Sequence, residues 1–258
     1  MVQYRYLFSH LVRRELRQKY MGSALGVLWY LANPLVLLGA YTLMFGVVLK
    51  LPHESDYPLF LMIGLVAWTF FQQALLAAAP SLIDQGGLIR KANFPRQTIP
   101  AATVTVQLIT FCAVLVLLIP LTVAIRGRLS PALLLMPVLI ALLFCFALGC
   151  ALIVSALHAY FRDVVPVLTA AMLPWFFLTP IYYEPSTIPF FKDHALVRFC
   201  LEWVNPVAPF VEAMRWAVYG GRSGDWVWFV YALVAAAVAL GLGTAVFRRA
   251  RGELAVVL

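Results

Sequence analysis

The side chains of this 258-residue chain that could do chemistry are few, and their types suit holding charge and stacking rings rather than making bonds. Glu212 and Arg215 stand three residues apart, a spacing that lets them pair on one helical face. Arg162 and Asp163 are adjacent, and Arg13, Arg14 and Arg17 cluster near the N-terminus, where guanidinium groups can attract an anion. Trp175-Phe176 and Tyr182, with Tyr41 upstream, supply flat rings, and Asn33 adds an amide. A hydrolytic or nucleotide-binding centre would need other patterns. There is no G-x-x-x-x-G-K-[ST], no H-E-x-x-H and no pair of carboxylates inside an apolar run. The cysteines Cys112, Cys145, Cys150 and Cys200 show neither metal-ligand spacing nor a disulfide framework, and read as small packing residues. No enzyme activity and no metal are expected on this chain.

The elements around these residues are apolar. Six uncharged stretches, 20–49, 57–83, 97–125, 129–157, 164–183 and 226–247, each match or exceed the roughly 20 residues a helix needs to cross hydrocarbon. A backbone in lipid must satisfy its own hydrogen bonds, so the fold class is all-α integral membrane with six transmembrane helices. With 64% hydrophobic residues and a mean hydropathy of +0.91, residues 1–258 form a single transmembrane domain with no room for a sizeable soluble one. Arg and Lys persist to Lys19 and the apolar run beyond is long, which argues against a cleaved signal peptide.

Charge placement orients the chain. With the N-terminus in the cytoplasm, twelve of the 19 bases fall on the cytoplasmic side, among them Arg5, Arg13, Arg14, Arg17, Lys19, Arg90, Lys91, Arg96 and Arg162. The remaining seven face seven acids outside, so the whole net charge of +8 lies on one side. The positive-inside rule therefore places both termini in the cytoplasm and accounts for the basic balance without nucleic acid. No Asp, Glu, Lys or Arg stands midspan, where a proton- or sodium-coupled carrier would keep one, so any energy source is expected on another chain.

Three segments outside the spans carry further signals. Residues 1–20 place Tyr4, Leu7, Phe8, Leu11 and Val12 on one helical face with the bases largely off it, as in an interface helix that anchors to anionic lipid or docks a partner. Glu15 and Lys19 within it have the favourable four-residue spacing. Residues 80–96 hold Ser81 and Asp84 in a capping-box-like spacing, then Leu88-Ile89-Arg90-Lys91; a short force-transmitting helix and an ordinary basic loop both fit. In 184–225, Asn205-Pro206 and Pro209 break apolar and aromatic runs into pieces too short to cross, which predicts a re-entrant helical hairpin on the outer side. Interface preference alone explains many of the Trp and Tyr residues, and those on the first and fifth spans could instead face a pore and stack on sugar rings.

In order along the chain, Lys19-Tyr20-Met21-Gly22-Ser23 with Gly26-Val27-Leu28-Trp29, Asn33-Pro34 and Tyr41, Phe94-Pro95, Tyr160-Phe161-Arg162-Asp163, Trp175 with Thr179-Pro180-Ile181-Tyr182, and Asn205-Pro206 resemble the permease subunit of type-2 ABC exporters for polysaccharides. The match is to the branch exporting lipid-linked O antigen. The resemblance implies a homodimer worked by two copies of a separate nucleotide-binding ATPase, with ATP and Mg bound there and no cofactor on this chain. It implies that Ser81, Asp84, Leu88, Ile89, Arg90 and Lys91 touch that ATPase and that Phe161, Arg162 and Asp163 form an inner interface motif. Asn33, Tyr41, Trp175, Phe176 and Tyr182 would line the pore, Asn205, Pro206, Glu212 and Arg215 would belong to an outer gate, and Arg13, Arg14 and Arg17 would attract the pyrophosphate of an undecaprenyl-linked polymer. The expected location is the bacterial inner membrane. Capsular polysaccharide, teichoic acid or galactan are alternative cargoes; a carrier or channel needing no ATPase, and a scaffold for a polysaccharide synthase, are competing classes.

Overall fold

The computed structural model describes residues 2–21, 28–48, 57–91, 94–127, 130–185, 188–219 and 226–250. Every element among them is helical. In chain order these are α1 (Val2–Tyr20), α2 (Leu28–Tyr41, continued by a π-helical turn over Thr42–Val48), α3 (Tyr57–Ala78), α4 (Ser81–Asp84), α5 (Gly86–Lys91), α6 (Thr98–Arg126), α7 (Met136–Tyr160), α8 (Val164–Leu178), α9 (Pro189–Asp193), α10 (Ala195–Phe199, continued over Cys200–Val204), α11 (Ala208–Tyr219) and α12 (Trp226–Ala250). Four helical stretches, Tyr57–Ala78, Thr98–Arg126, Pro131–Tyr160 and Trp226–Ala250, are long and apolar enough to cross a membrane, so the chain is a multi-pass membrane protein. The apolar stretches Pro34–Val48 and Val164–Leu178 are shorter.

Local chemistry explains most of the boundaries. α6 stops where Gly127 takes a left-handed φ of 64°, its N–H donating to the Val123 carbonyl at 2.9 Å. The next helix opens on Ser130, whose hydroxyl accepts from the Ala132 N–H at 3.2 Å, with Pro131 in the first turn. Pro209 does not break α11, because it lies in the first turn, where its missing N–H is not needed. The capping-box expectation for α4 fails. Ser81 turns its hydroxyl back to the Ala78 carbonyl at 2.7 Å, continuing the satisfaction of α3 rather than capping α4, and Asp84 is exposed.

α3 is the central helix: Leu61 through Phe71 are all buried, against α6, α7, α8 and α11. α7 and α12 cross most closely. On α12, Ala232, Ala236, Ala239 and Gly243 form a buried stripe facing Gly149, where an added Cβ would overlap the Ala239 backbone. Without water to drive apolar surfaces together, small residues let two helix backbones approach and gain dispersion contact. A second apolar cluster gathers at the basic end of the bundle, where Leu11 and Val12 of α1 meet Leu82, Ile99, Val106, Leu152 and Phe247.

Candidate functional site

At the end of the bundle away from α1, two polar side chains grip the segment that leaves α8. Arg215 of α11 is 4% exposed. Its Nη1 donates to the Pro180 carbonyl at 2.7 Å and to Glu212 Oε1 at 2.8 Å, its Nη2 donates to the Ile181 carbonyl, and its guanidinium lies 3.4 Å over the Phe60 ring of α3. Gly64 of α3 leaves room for this: a Cβ there would meet Arg215 Nη2 at 3.0 Å. Pro180 prevents α8 from continuing, so the carbonyls of Pro180 and Ile181 in the turn beyond it have no helical donors, and the guanidinium fork supplies them. Asn205 is equally committed. Its Oδ1 accepts from Trp175 Nε1 at 3.0 Å and from the Val207 N–H at 3.1 Å, while its Nδ2 donates to Thr179 Oγ1 at 2.8 Å and to the Leu178 carbonyl at 3.3 Å. The structure thus brings Asn205, Glu212 and Arg215 of the expected gate onto one irregular turn, Thr179 to Tyr182; Pro206 ends the preceding helix beside them. Two partners in this arrangement have no sequence signal: Tyr57 donates to the Tyr182 carbonyl at 2.9 Å, and Tyr231 donates to the Trp203 carbonyl.

Beside that turn, aromatic rings from α2 and the end of α8 meet. Tyr41 stacks near Phe176 (5.7 Å between centroids) and Phe45 stacks on Tyr182 (4.6 Å), and the series continues through Tyr183 to Phe191. Tyr41 and Tyr182 are half-buried, with part of their surface open. Phe176 is 6% exposed and belongs to the core of this chain, while Trp175, half-buried, packs edge-on against Trp68 and Phe71 and gives its N–H to Asn205. The side chain of Asn33 lies outside the described residues, as do those of Arg90 and Lys91.

The basic end has its own geometry. α1 runs alongside α6 in the same direction: Glu15 Oε1 accepts from Thr103 Oγ1 at 3.0 Å and Lys19 Nζ donates to Gln107 Oε1 at 2.6 Å, each a step of four residues along both helices. Lys19 therefore sits about 14 Å beyond the start of α6, at 1.5 Å per residue. Lys19 keeps exposed surface, yet desolvation of its ammonium against α6 lowers its pKa to about 8, and burial raises that of Glu15 despite the Thr103 hydrogen bond and the nearby Arg14. The four-residue spacing of Glu15 and Lys19 thus serves to bind α1 to a neighbouring helix.

Among the expected pyrophosphate ligands, Arg13, Arg14 and Arg17 are exposed, and Arg14 Nη1 reaches Gln85 Oε1 at 3.4 Å, between α4 and α5. In the 80–96 segment Leu82 is fully buried under α1, and Leu88 and Ile89 pack half-buried on the same cluster, leaving Asp84 on the surface. Phe161, Arg162 and Asp163 form an exposed turn between α7 and α8, and Phe161 keeps 65% of its surface open.

Residues 6–219 match the family model described as ABC-2 type transporter. The chain is 30% identical over 253 residues to the O-antigen export system permease protein RfbA of Myxococcus xanthus, covering 98% of this chain and 95% of that one. It is 30% identical to the RfbA permease of Klebsiella pneumoniae over 71% of this chain and 72% of that one. It is 27% identical to the polysialic acid transport protein KpsM of Escherichia coli over 91% and 90%. A helical membrane chain matched over nearly its whole length, it belongs to the ABC-2 type transporter family.

Proposed function

We propose that this chain is the membrane subunit of an ATP-driven exporter of lipid-linked polysaccharide of the O-antigen type. The single observation that carries this reading is the similarity to an O-antigen export permease over 98% of the chain. In this reading two copies enclose a path across the inner membrane, both termini are cytoplasmic, and Pro34–Val48 and Val164–Leu178 complete six spans against the second copy. The exposure of Val167, Leu173 and Leu178 along α8 supports that partnership, since α8 buries only Met172 and Phe176 within its own chain. Two copies of a separate ATPase, binding ATP and Mg, dock on the basic end against Asp84 and the exposed turn of Phe161, Arg162 and Asp163.

The mechanism follows from shared cores. Leu82 of the coupling segment and Leu11 and Val12 of α1 belong to one apolar cluster with α6, α7 and α12, so a push on α4 is carried to those helices rather than absorbed in a loop. At the far end Arg215 and Asn205 join α11 to the end of α8, so the hairpin and α8 move together as the gate. Direct contact with sugar falls to Tyr41 and Tyr182, whose rings keep open surface; Phe176 packs against both of them. Arg13, Arg14 and Arg17 attract the pyrophosphate on entry.

The test is reconstitution of this chain with its ATPase in vesicles carrying undecaprenyl-pyrophosphate glycan on the outer leaflet. ATP-dependent translocation into the lumen is expected, and movement without ATPase or nucleotide would reject the reading. Supplying capsular polymer in parallel decides between the O-antigen and capsule branches, both of which have full-length relatives here. Charge reversal of Arg13, Arg14 and Arg17 is expected to slow uptake of the pyrophosphate-linked polymer with membrane insertion intact.

A further inference from the structure

An open groove of about 860 Å3 runs along the flank of the bundle between α1, the start of α6, α7 and α12. Its mouth carries Arg5 of α1 and, beside the first turn of α6, Gln97 and Thr98. Its walls are apolar, formed by Ala101 of α6, Leu148 and Leu152 of α7 and Leu240 of α12. Ser9 and Thr244 also line it, yet their hydroxyls donate to the Tyr6 and Gly241 carbonyls of their own helices, at 2.8 and 3.0 Å.

The depth identifies the occupant. Leu148 lies twelve residues before the end of α7 and Leu240 ten residues before the end of α12. At 1.5 Å per residue they stand about 15–18 Å from the helix ends. One leaflet of hydrocarbon is about 15 Å thick, half of the bilayer core. The polar lining at the first turn of α6 therefore stands at headgroup height, and the apolar lining lies within one leaflet of the helix ends. On its other face α12 carries Val238 and Leu242, more than half exposed, as expected where lipid tails are the solvent.

We propose that the groove holds one anionic membrane phospholipid, with an acyl chain between α1 and the α7–α12 pair and its phosphate on the Arg5 guanidinium. A planar guanidinium meets a phosphodiester with two parallel hydrogen bonds, and the Gln97 amide and Thr98 hydroxyl stand beside it as further donors. A zwitterionic lipid fills the same walls, but its own cation competes for the phosphate, so charge selects the anionic headgroup. α1 is then fastened to the bundle both by its packed leucine and valine and through a lipid. The inference stands on the groove alone and holds for either orientation of the chain and for any cargo.

The test uses the full permease with its ATPase in mild detergent, exchanged against vesicles of phosphatidylcholine doped with phosphatidylglycerol, with retained lipid read by native mass spectrometry. Wild type is expected to keep one phosphatidylglycerol per permease with about fivefold preference over its share of the mixture, the effect of roughly one basic residue at an anionic surface. Arg5→Gln is expected to abolish the preference without emptying the groove, and Ala101→Trp to lower retention of both lipids. Arg248→Gln, an exposed base in the last turn of α12, is expected to leave the preference unchanged. Equal retention of both lipids by wild type, or a preference that survives Arg5→Gln, overturns the proposal. So does lipid binding that appears only after removal of residues 251–258, which would give the groove to the chain's own end. Arg5 is exposed, so its variant keeps the test decisive even where the tryptophan variant fails to fold.

Discussion

Replacing Arg215 by Met removes the donor at the centre of the far-end arrangement while keeping an unbranched, apolar side chain in its place. Three hydrogen bonds and a ring contact are lost together: Pro180 and Ile181 lose their donor, Glu212 loses its counter-charge, and Phe60 loses the cation above it. Removing one partner of a buried pair costs about 3–5 kcal/mol, because a charge stays behind without compensation. The Glu212 carboxylate keeps 22% of its surface, which draws the expected cost toward the lower part of that range. For a chain of this size about 2–4 °C of melting temperature correspond to each kcal/mol, so a cost of about 3–4 kcal/mol should lower it by roughly 6–16 °C. Thermal aggregation of the detergent-solubilised protein, followed by size-exclusion fluorescence at one fixed heating rate, measures it. Two companions make the reasoning specific. Glu212→Gln alone should cost less, because the amide still accepts from Arg215, and Glu212→Leu with Arg215→Met should lose less than Arg215→Met alone, because no charge is left buried. A melting temperature within about one degree of wild type for Arg215→Met, or a double variant that loses the plain sum of its singles, would refute the account.

Asn205→Leu strands the Trp175 indole N–H and the Val207 N–H at once, so a loss of about 2–4 kcal/mol and a shift in tryptophan emission are expected; unchanged emission would show that the bond is absent. Gly149→Val forces α7 and α12 apart at a backbone-to-backbone crossing, and an overpacking cost of about 1–3 kcal/mol should appear as reduced thermal stability, against a negligible effect for Gly39→Ala on α2, where a Cβ meets nothing. Lys19 should titrate near pH 8 rather than the ordinary value of about 10.4. Docking α1 disfavours its charged form, so that docking is weakest below pH 8 and strengthens as pH rises from 8 toward the unfolded value. Amine acylation of Lys19 against pH, read by peptide mass spectrometry, should show a midpoint near 8, and a midpoint above 10 would place the ammonium in open water.

Much of the architecture was legible because lipid imposes one requirement that the sequence must meet locally. Uncharged runs of about 20 residues gave α3, α6, α7 and α12 with nearly correct limits, and the break at Asn205-Pro206 followed from residues that end helices by their own chemistry. The Glu212–Arg215 pair was also readable, since three-residue spacing on a helix is a local property. Where the first apolar run hands over from α1 was not legible, because an apolar run by itself marks no helix boundary; α1 ends at Tyr20, and residues 22–27 lie outside the described residues. The capping-box reading of Ser81 failed for a related reason: a hydroxyl chooses between two nearby backbone partners, and Pro80 leaves the α3 carbonyl as the better one.

By itself, then, the chain's sequence determined that it lies in a membrane as helices, because composition and spacing act within a few turns. Which groups meet was decided only by folding. Glu15 and Lys19, spaced as partners for each other, each bond to α6; Trp175, an apparent pore ring, spends its N–H on Asn205; and Gly149 and Gly243, unremarked in the linear order, set the closest helix crossing. These contacts join residues from about 30 to more than 80 positions apart. Their partners are fixed by how helices pack, and packing is a property of surfaces that no single stretch of sequence contains.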